Sequence, residues 1–247
     1  MTTDTTGKRS FVLITVLTTF LVLNIFVLID AANALFHIDL VKEFACKGRF
    51  GFFEAQTLVM LLLLNIFVIW NSVLTKGWTR SLAAISLTMI VAFFAEVLGV
   101  TYGMIFGRYY YTEVLGFQVL RVPLLVALAW EPILYASFCL IEFLIPSEKE
   151  VSGPIWERLV PYILMATIGG IATTAWDLML DPFAVDRGWW VWIDGGSYAP
   201  YLKNGVPVSN FFGWFKVAFV CQLIYRYFMV ETGIQPKKTL HLSVYGP

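Results

Sequence analysis

Six long apolar runs, Phe11–Phe36, Phe52–Leu74, Leu82–Val100, Val119–Ile145, Leu159–Leu180 and Val208–Val230, set the strongest limit on how this chain folds. Each is long enough to cross a hydrocarbon layer as a helix, which takes about 20 residues. None alternates in the manner of a barrel strand, and backbone in lipid must satisfy its own hydrogen bonds. The runs therefore predict an all-α, polytopic membrane helical bundle of six to eight transmembrane helices with a re-entrant or lid segment. The uncertainty in number comes from two places. Val119–Ile145 contains Pro123 and Pro132, so it reads as one kinked helix or as a re-entrant piece followed by a helix. The aromatic segment Trp189–Tyr201 could hide a further short span.

The 247 residues form a single integral membrane domain with polar tails at 1–10 and 231–247. The first run is too long and lacks the small-residue cleavage pattern of a signal peptide, so it reads as a retained span. In a six-span arrangement, alternate loops carry nine lysines and arginines on one side and seven on the other, with Lys216 inside the last run. That asymmetry points to a multi-pass protein of the cell membrane with cytoplasmic termini.

Composition excludes several functions. Seventeen basic residues balance seventeen acidic ones, leaving no field for nucleic acid. Cys46, Cys139 and Cys221 are too scattered for a disulfide framework or a cysteine zinc site, and His37 and His241 are the only histidines. No dinucleotide fingerprint, P-loop, zincin motif or serine elbow occurs. The expectation is chemistry without a metal or cofactor. Asp177-x-x-x-Asp181 superficially resembles a prenyltransferase magnesium motif, but it has no second acidic partner of that kind.

Most polar residues in or beside the runs fall at one membrane face, namely Asp30 and Asn33, Glu54 and Gln56, Glu96, Asp177 and Asp181, and Asn210, with Glu142, Asn65 and Asn71 the main exceptions. Ionisable groups at such positions are costly and mark sites. Beside them lie a glycine- and tyrosine-rich loop, Glu96 to Thr112, and a loop from Trp176 to Trp214 rich in tryptophan, glycine and proline. The latter reads as a folded lid. The competing reading of these rings is an interfacial aromatic belt.

Asp177 and Asp181 share one helix face with Thr173. Two carboxyls that close in a low-dielectric site resist ionising together, so one keeps a proton and can act as a general acid. The alternative is structural: Asp181 ends the helix before Pro182 while Asp177 pairs with Arg108 or Arg187. Glu96 is open to the same two readings, with Arg108 as its partner in the second. Glu131, between Trp130 and Pro132, reads either as a proton carrier or as a group satisfying backbone atoms freed by the proline.

Taken together, these residues resemble the CruF-type membrane carotenoid hydratase family (bisanhydrobacterioruberin hydratase-like). The resemblance rests on Glu96-Val-Leu-Gly-Val with Gly103, Phe106-Gly-Arg-Tyr-Tyr-Tyr-Thr112, Val122-Pro-Leu-Leu with Ala129-Trp130, Thr174-Ala-Trp-Asp-Leu-Met-Leu-Asp-Pro182, Trp190-Val-Trp192, Gly196-Ser-Tyr198 and Pro207-Val-Ser-Asn-Phe-Phe-Gly-Trp214. Glu131 and the length of Ala199–Val206 depart from the family's pattern.

The resemblance implies a hydro-lyase of the carotenoid 1,2-hydratase type that needs no cofactor. Its substrate would be an acyclic carotenoid, taken from the membrane lipids, with other carotenoid-pathway membrane enzymes as possible contacts. On that reading Asp177 is the acid, Asp181 shares its proton and Glu96 positions water, although Asp177 and Glu96 could exchange roles. Tyr110, Trp130, Trp176, Trp192, Tyr198 and Trp214 line the end-group cavity, and Asn210 hydrogen-bonds the water or a carboxyl. A lipid- or quinone-binding membrane protein or transporter, and a cofactor-free carotenoid cyclase or isomerase, remain open alternatives.

Overall fold

The structure is a computed structural model that describes residues 52–145, 155–201 and 205–230. The run Phe11–Phe36, both polar tails, and Asp30 and Asn33 lie outside the described residues, as do the side chains of Glu54 and Gln56. Five helices among the described residues are long and apolar enough to cross a membrane, which makes the molecule a multi-pass membrane helical bundle. They are α1 (Phe52–Lys76), α2 (Trp78–Tyr102), α3 (Leu124–Leu144), α4 (Ile155–Asp186) and α5 (Val208–Met229).

Consecutive helices alternate in direction. The ends of α2 and α4 and the beginnings of α1, α3 and α5 consequently meet at one end of the bundle. α3 is the most enclosed of the five and packs against all four others. Trp130, Leu134, Tyr135 and Phe138 of α3 form the centre of the apolar core with Trp214 and Tyr225 of α5.

Pro132 interrupts α3 and Pro182 interrupts α4 without ending them, and each of these two interruptions has an identifiable repair. Pro132 cannot donate to the carbonyl of Leu128 four residues earlier. The Asn65 side-chain amide of α1 donates to that oxygen instead, at 2.9 Å. Pro182 likewise frees the carbonyl of Leu178, which accepts the Tyr198 hydroxyl at 2.9 Å. Glu131 is not used for this purpose.

Two short antiparallel ribbons cover the end of the bundle where the polar residues gather. β1 (Tyr109–Tyr111) pairs with β4 (Trp190–Trp192), with Tyr109 opposite Trp192 and Tyr111 opposite Trp190. β2 (Gln118–Val119) and β3 (Val122–Pro123) form a hairpin that leads directly into α3. Its turn residues, Leu120 and Arg121, are left-handed, with φ of 51° and 69°.

Two expectations are settled here. Val119–Ile145 is a hairpin strand, a turn and a single helix starting at Leu124, rather than a re-entrant piece. Trp189–Tyr201 is a strand and loop rather than a further span. Thirteen residues would make a helix of only about 20 Å, and Trp190-Val191-Trp192 has the period of a strand. The lid closes on itself through a bridge between Tyr198 and Val206, against which Gly196 packs so tightly that a Cβ there would strike the Val206 carbonyl.

Candidate active site

The β1–β4 ribbon organises the site through strand parity. Residues two apart share a face, so Tyr109 and Tyr111 point the same way as Trp190 and Trp192, toward the bundle, while Tyr110 and Val191 take the opposite face. Beneath the ribbon lies a cavity of about 150 Å³. Its wall includes Glu96 of α2, Trp130 of α3, Trp176 and Asp181 of α4, and Asn210 and Trp214 of α5, together with the inward rings of the ribbon. The lining is overwhelmingly apolar and aromatic.

Each strand serves a different carboxyl group. From β1, the Tyr109 and Tyr111 hydroxyls donate to Glu96 Oε2 at 2.5 and 2.7 Å, and Trp130 Nε1 donates to Glu96 Oε1 at 2.8 Å. From β4, the indole nitrogens of Trp190 and Trp192 both donate to Asp181 Oδ1, at 2.8 and 3.1 Å. The Asn210 side-chain amide reaches Asp181 Oδ2 at 2.5 Å and Asp177 Oδ2 at 2.7 Å, linking the two aspartates.

An indole N–H can only donate, so the oxygen met by Trp190 and Trp192 is held as an acceptor. Glu96, Asp177, Asp181 and Asn210 are all buried. Burial first, and the neighbouring Glu96 carboxyl second, hold the Tyr109 and Tyr111 hydroxyls well above the usual tyrosine range. Both therefore remain hydrogen-bond donors at any physiological pH.

Around these groups the rings are tightly ordered. Trp130 and Trp214 stack with centroids 4.0 Å apart and planes 19° from parallel. Tyr109 lies 5.0 Å from Trp192 and 5.3 Å from Tyr111. Gly99 makes room for this arrangement: a Cβ there would come within 2.8 Å of both the Phe106 ring and the Tyr109 hydroxyl.

The expected site residues separate into two groups. Glu96, Trp130, Trp176, Asp181, Trp192, Asn210 and Trp214 line the cavity. Tyr110, Tyr198 and Asp177 do not. Tyr110 is 49% exposed on the outer face of β1, and Tyr198 repairs the backbone at Pro182. Asp177 sits beside the cavity rather than on its wall, fully buried and tied to Asn210.

The arginine pairings that competed with these roles are not the ones found. Arg108 bonds Asp194 across the surface of the lid, with Nε to Oδ2 at 2.8 Å and a second bond from Nη2. That ion pair holds the Asp194 carboxyl below its usual range. Tyr109, Tyr111 and Trp190, which the sequence did not single out as site residues, also line the cavity and bond its carboxyls, and the two-residue alternation in Tyr-Tyr-Tyr and Trp-Val-Trp carried that signal.

Glu131 belongs to a separate polar node in the interior. It accepts the Thr88 hydroxyl at 2.9 Å and the Tyr225 hydroxyl on its other oxygen, joining α2, α3 and α5.

The family described as carotenoid biosynthesis protein matches residues 56–245 of this chain. No curated protein and no solved structure matches it.

Proposed function

Because the chain belongs to the carotenoid biosynthesis protein family, we propose that it is a carotenoid hydratase, adding water to the terminal double bond of an acyclic carotenoid end group. The observation that carries this reading is an apolar, aromatic cavity with two separately held carboxyl groups on its wall, Asp181 and Glu96. Hydration of a trisubstituted alkene needs an acid, a shielded cation and a placed water, and it needs no redox partner.

Asp177 and Asp181, joined through Asn210, hold one proton between them, since two buried carboxylates on one helix face repel. Asp181 is the member on the cavity wall and delivers that proton to the less substituted alkene carbon. The π electrons form the new C–H bond and leave a tertiary cation. Trp192 and the stacked Trp130–Trp214 pair flank the cation, and a ring face turned to it contributes roughly 0.5–2 kcal/mol. A water then forms the C–O bond, and Glu96 accepts its surplus proton. Return of that proton to the aspartate pair restores the starting state, so the net change is the addition of one water. Tyr109, Tyr111 and Trp130 keep Glu96 oriented as an acceptor throughout.

On this proposal the protein works in the cell membrane with both termini on the cytoplasmic side, in contact with other membrane enzymes of the same pathway. Expression in a host that accumulates acyclic carotenoids tests the reading. The expected product is heavier by one water for each end group modified. Unchanged mass with altered absorption would replace hydration by cyclisation or isomerisation, and unchanged carotenoid would leave a binding protein.

A further inference from the structure

The cavity is much smaller than the substrate proposed for it. An apolar space of about 150 Å³ holds about one benzene-sized group, which corresponds to a single branched end unit of five or six carbons. The rest of a long chain must leave the cavity through an opening in its wall.

The helix arrangement leaves one direction. Among the described residues, around the central α3, α1 packs on α2, α2 on α5 and α5 on α4, while α4 and α1 have no substantial packing against each other. Within the described residues these four helices form an arc that is open between α4 and α1, with α3 as its floor. Above, the ribbon closes the cavity with the buried rings of Tyr109, Trp190 and Trp192.

Both edges of the open seam contribute residues to the cavity at helical spacing, Thr57, Met60 and Leu61 from α1 and Met179, Leu180 and Phe183 from α4. Ala129 and Ile133 of α3 lie on the floor between them. Farther along both helices the exposed residues are apolar: Leu63 and Ile66 on α1, and Ile171 on α4. Methionine on each edge supplies flexible, polarizable walls that adapt to a moving chain.

We infer that the seam between α1 and α4 is the lateral doorway of the site. A linear, apolar chain would lie in it over Ala129, with its end unit in the cavity and its body in the bilayer. This inference rests on the hydratase reading for the identity of the chain, but its test does not require turnover.

A photoreactive benzophenone residue is placed in turn at Met60, at Met179 and, as a control, at the exposed Val220 of α5, in membranes loaded with an acyclic C40 polyene. Irradiation should give polyene adducts at Met60 and Met179 and none at Val220. In the otherwise unaltered protein, Ala129→Trp should reduce co-purified polyene at least tenfold. No adduct at the two seam positions would overturn the doorway, as would capture only of phospholipid or of the protein's own residues 11–36. Wild-type retention by the Ala129 variant would count against it equally. Seam adducts in membranes that yield no hydrated product would leave the doorway standing and remove the hydratase assignment.

Discussion

Asp181 and Glu131 are both buried carboxyl groups, yet their surroundings assign them different work. Asp181 lies on a cavity wall and is gripped by indole and amide nitrogens, whereas Glu131 is enclosed by helices and meets only hydroxyls. Glu131→Gln retains an acceptor for one hydroxyl and should alter unfolding stability by about 1 kcal/mol. Glu131→Leu removes the acceptor of the Tyr225 hydroxyl, at about 1–3 kcal/mol for a hydroxyl left unpaired, while the Thr88 hydroxyl keeps the carbonyls of Ala84 and Ile85 within reach. Detergent-solubilised unfolding curves would show this ranking, while product formed per folded molecule should stay at the wild-type level for Glu131→Gln. Loss of activity from both variants without loss of stability would place Glu131 in the reaction instead. The sequence made these carboxyls conspicuous, because ionisable groups in apolar runs stand out. It did not show which of Asp177 and Asp181 reaches the cavity, since residues four apart share a helix face and the choice depends on how the neighbouring helix carrying Asn210 packs.

At the scale of elements, the ribbon and the proline repairs are what turn the helix ends into a site. The Tyr198 hydroxyl bonded to the Leu178 carbonyl ties the lid to the kink that carries Asp181. Tyr198→Phe should cost about 1–2 kcal/mol by removing that bond, and thermal unfolding in detergent would measure it; an unchanged midpoint would contradict the role. The β1 tyrosines give a spectroscopic check. With their hydroxyls held well above the usual range by burial and by Glu96, the double variant Tyr109→Phe/Tyr111→Phe should develop the same tyrosinate absorbance by pH 10 as the wild type. A smaller signal in the variant would show that these hydroxyls ionise normally. The sign for stability follows: a raised tyrosine pKa stabilises the fold below about pH 10, and the contribution is lost as pH rises further and the unfolded chain releases its protons. The ribbon was written in the sequence as period-two alternation, but its aromatic residues equally suit a membrane interface. Only the pairing of two segments some 80 residues apart makes them the roof of a cavity, and local pattern does not encode such pairing.

For the whole molecule, hydropathy and length foretold a membrane helical bundle, and the alternation of span directions foretold which helix ends would meet. Each of the five described helices corresponds to an apolar run identified in the sequence. What hydropathy could not supply is the order of helices around α3, because lipid-facing and core-facing surfaces are both apolar here. That order creates the enclosed site and the open seam beside it. Protonation of a carotenoid end group by a carboxyl on the cavity wall is measured most directly with Asp181→Asn: the amide preserves size and can still accept from Trp190 and Trp192, but it cannot act as the acid. Reconstituted with an acyclic carotenoid, the variant should retain the bound polyene at wild-type levels and form hydrated product at least 100-fold more slowly, in line with the roughly 10²–10⁴-fold contribution of a positioned acid. Hydration by Asp181→Asn at the wild-type rate would rule out Asp181 as the acid.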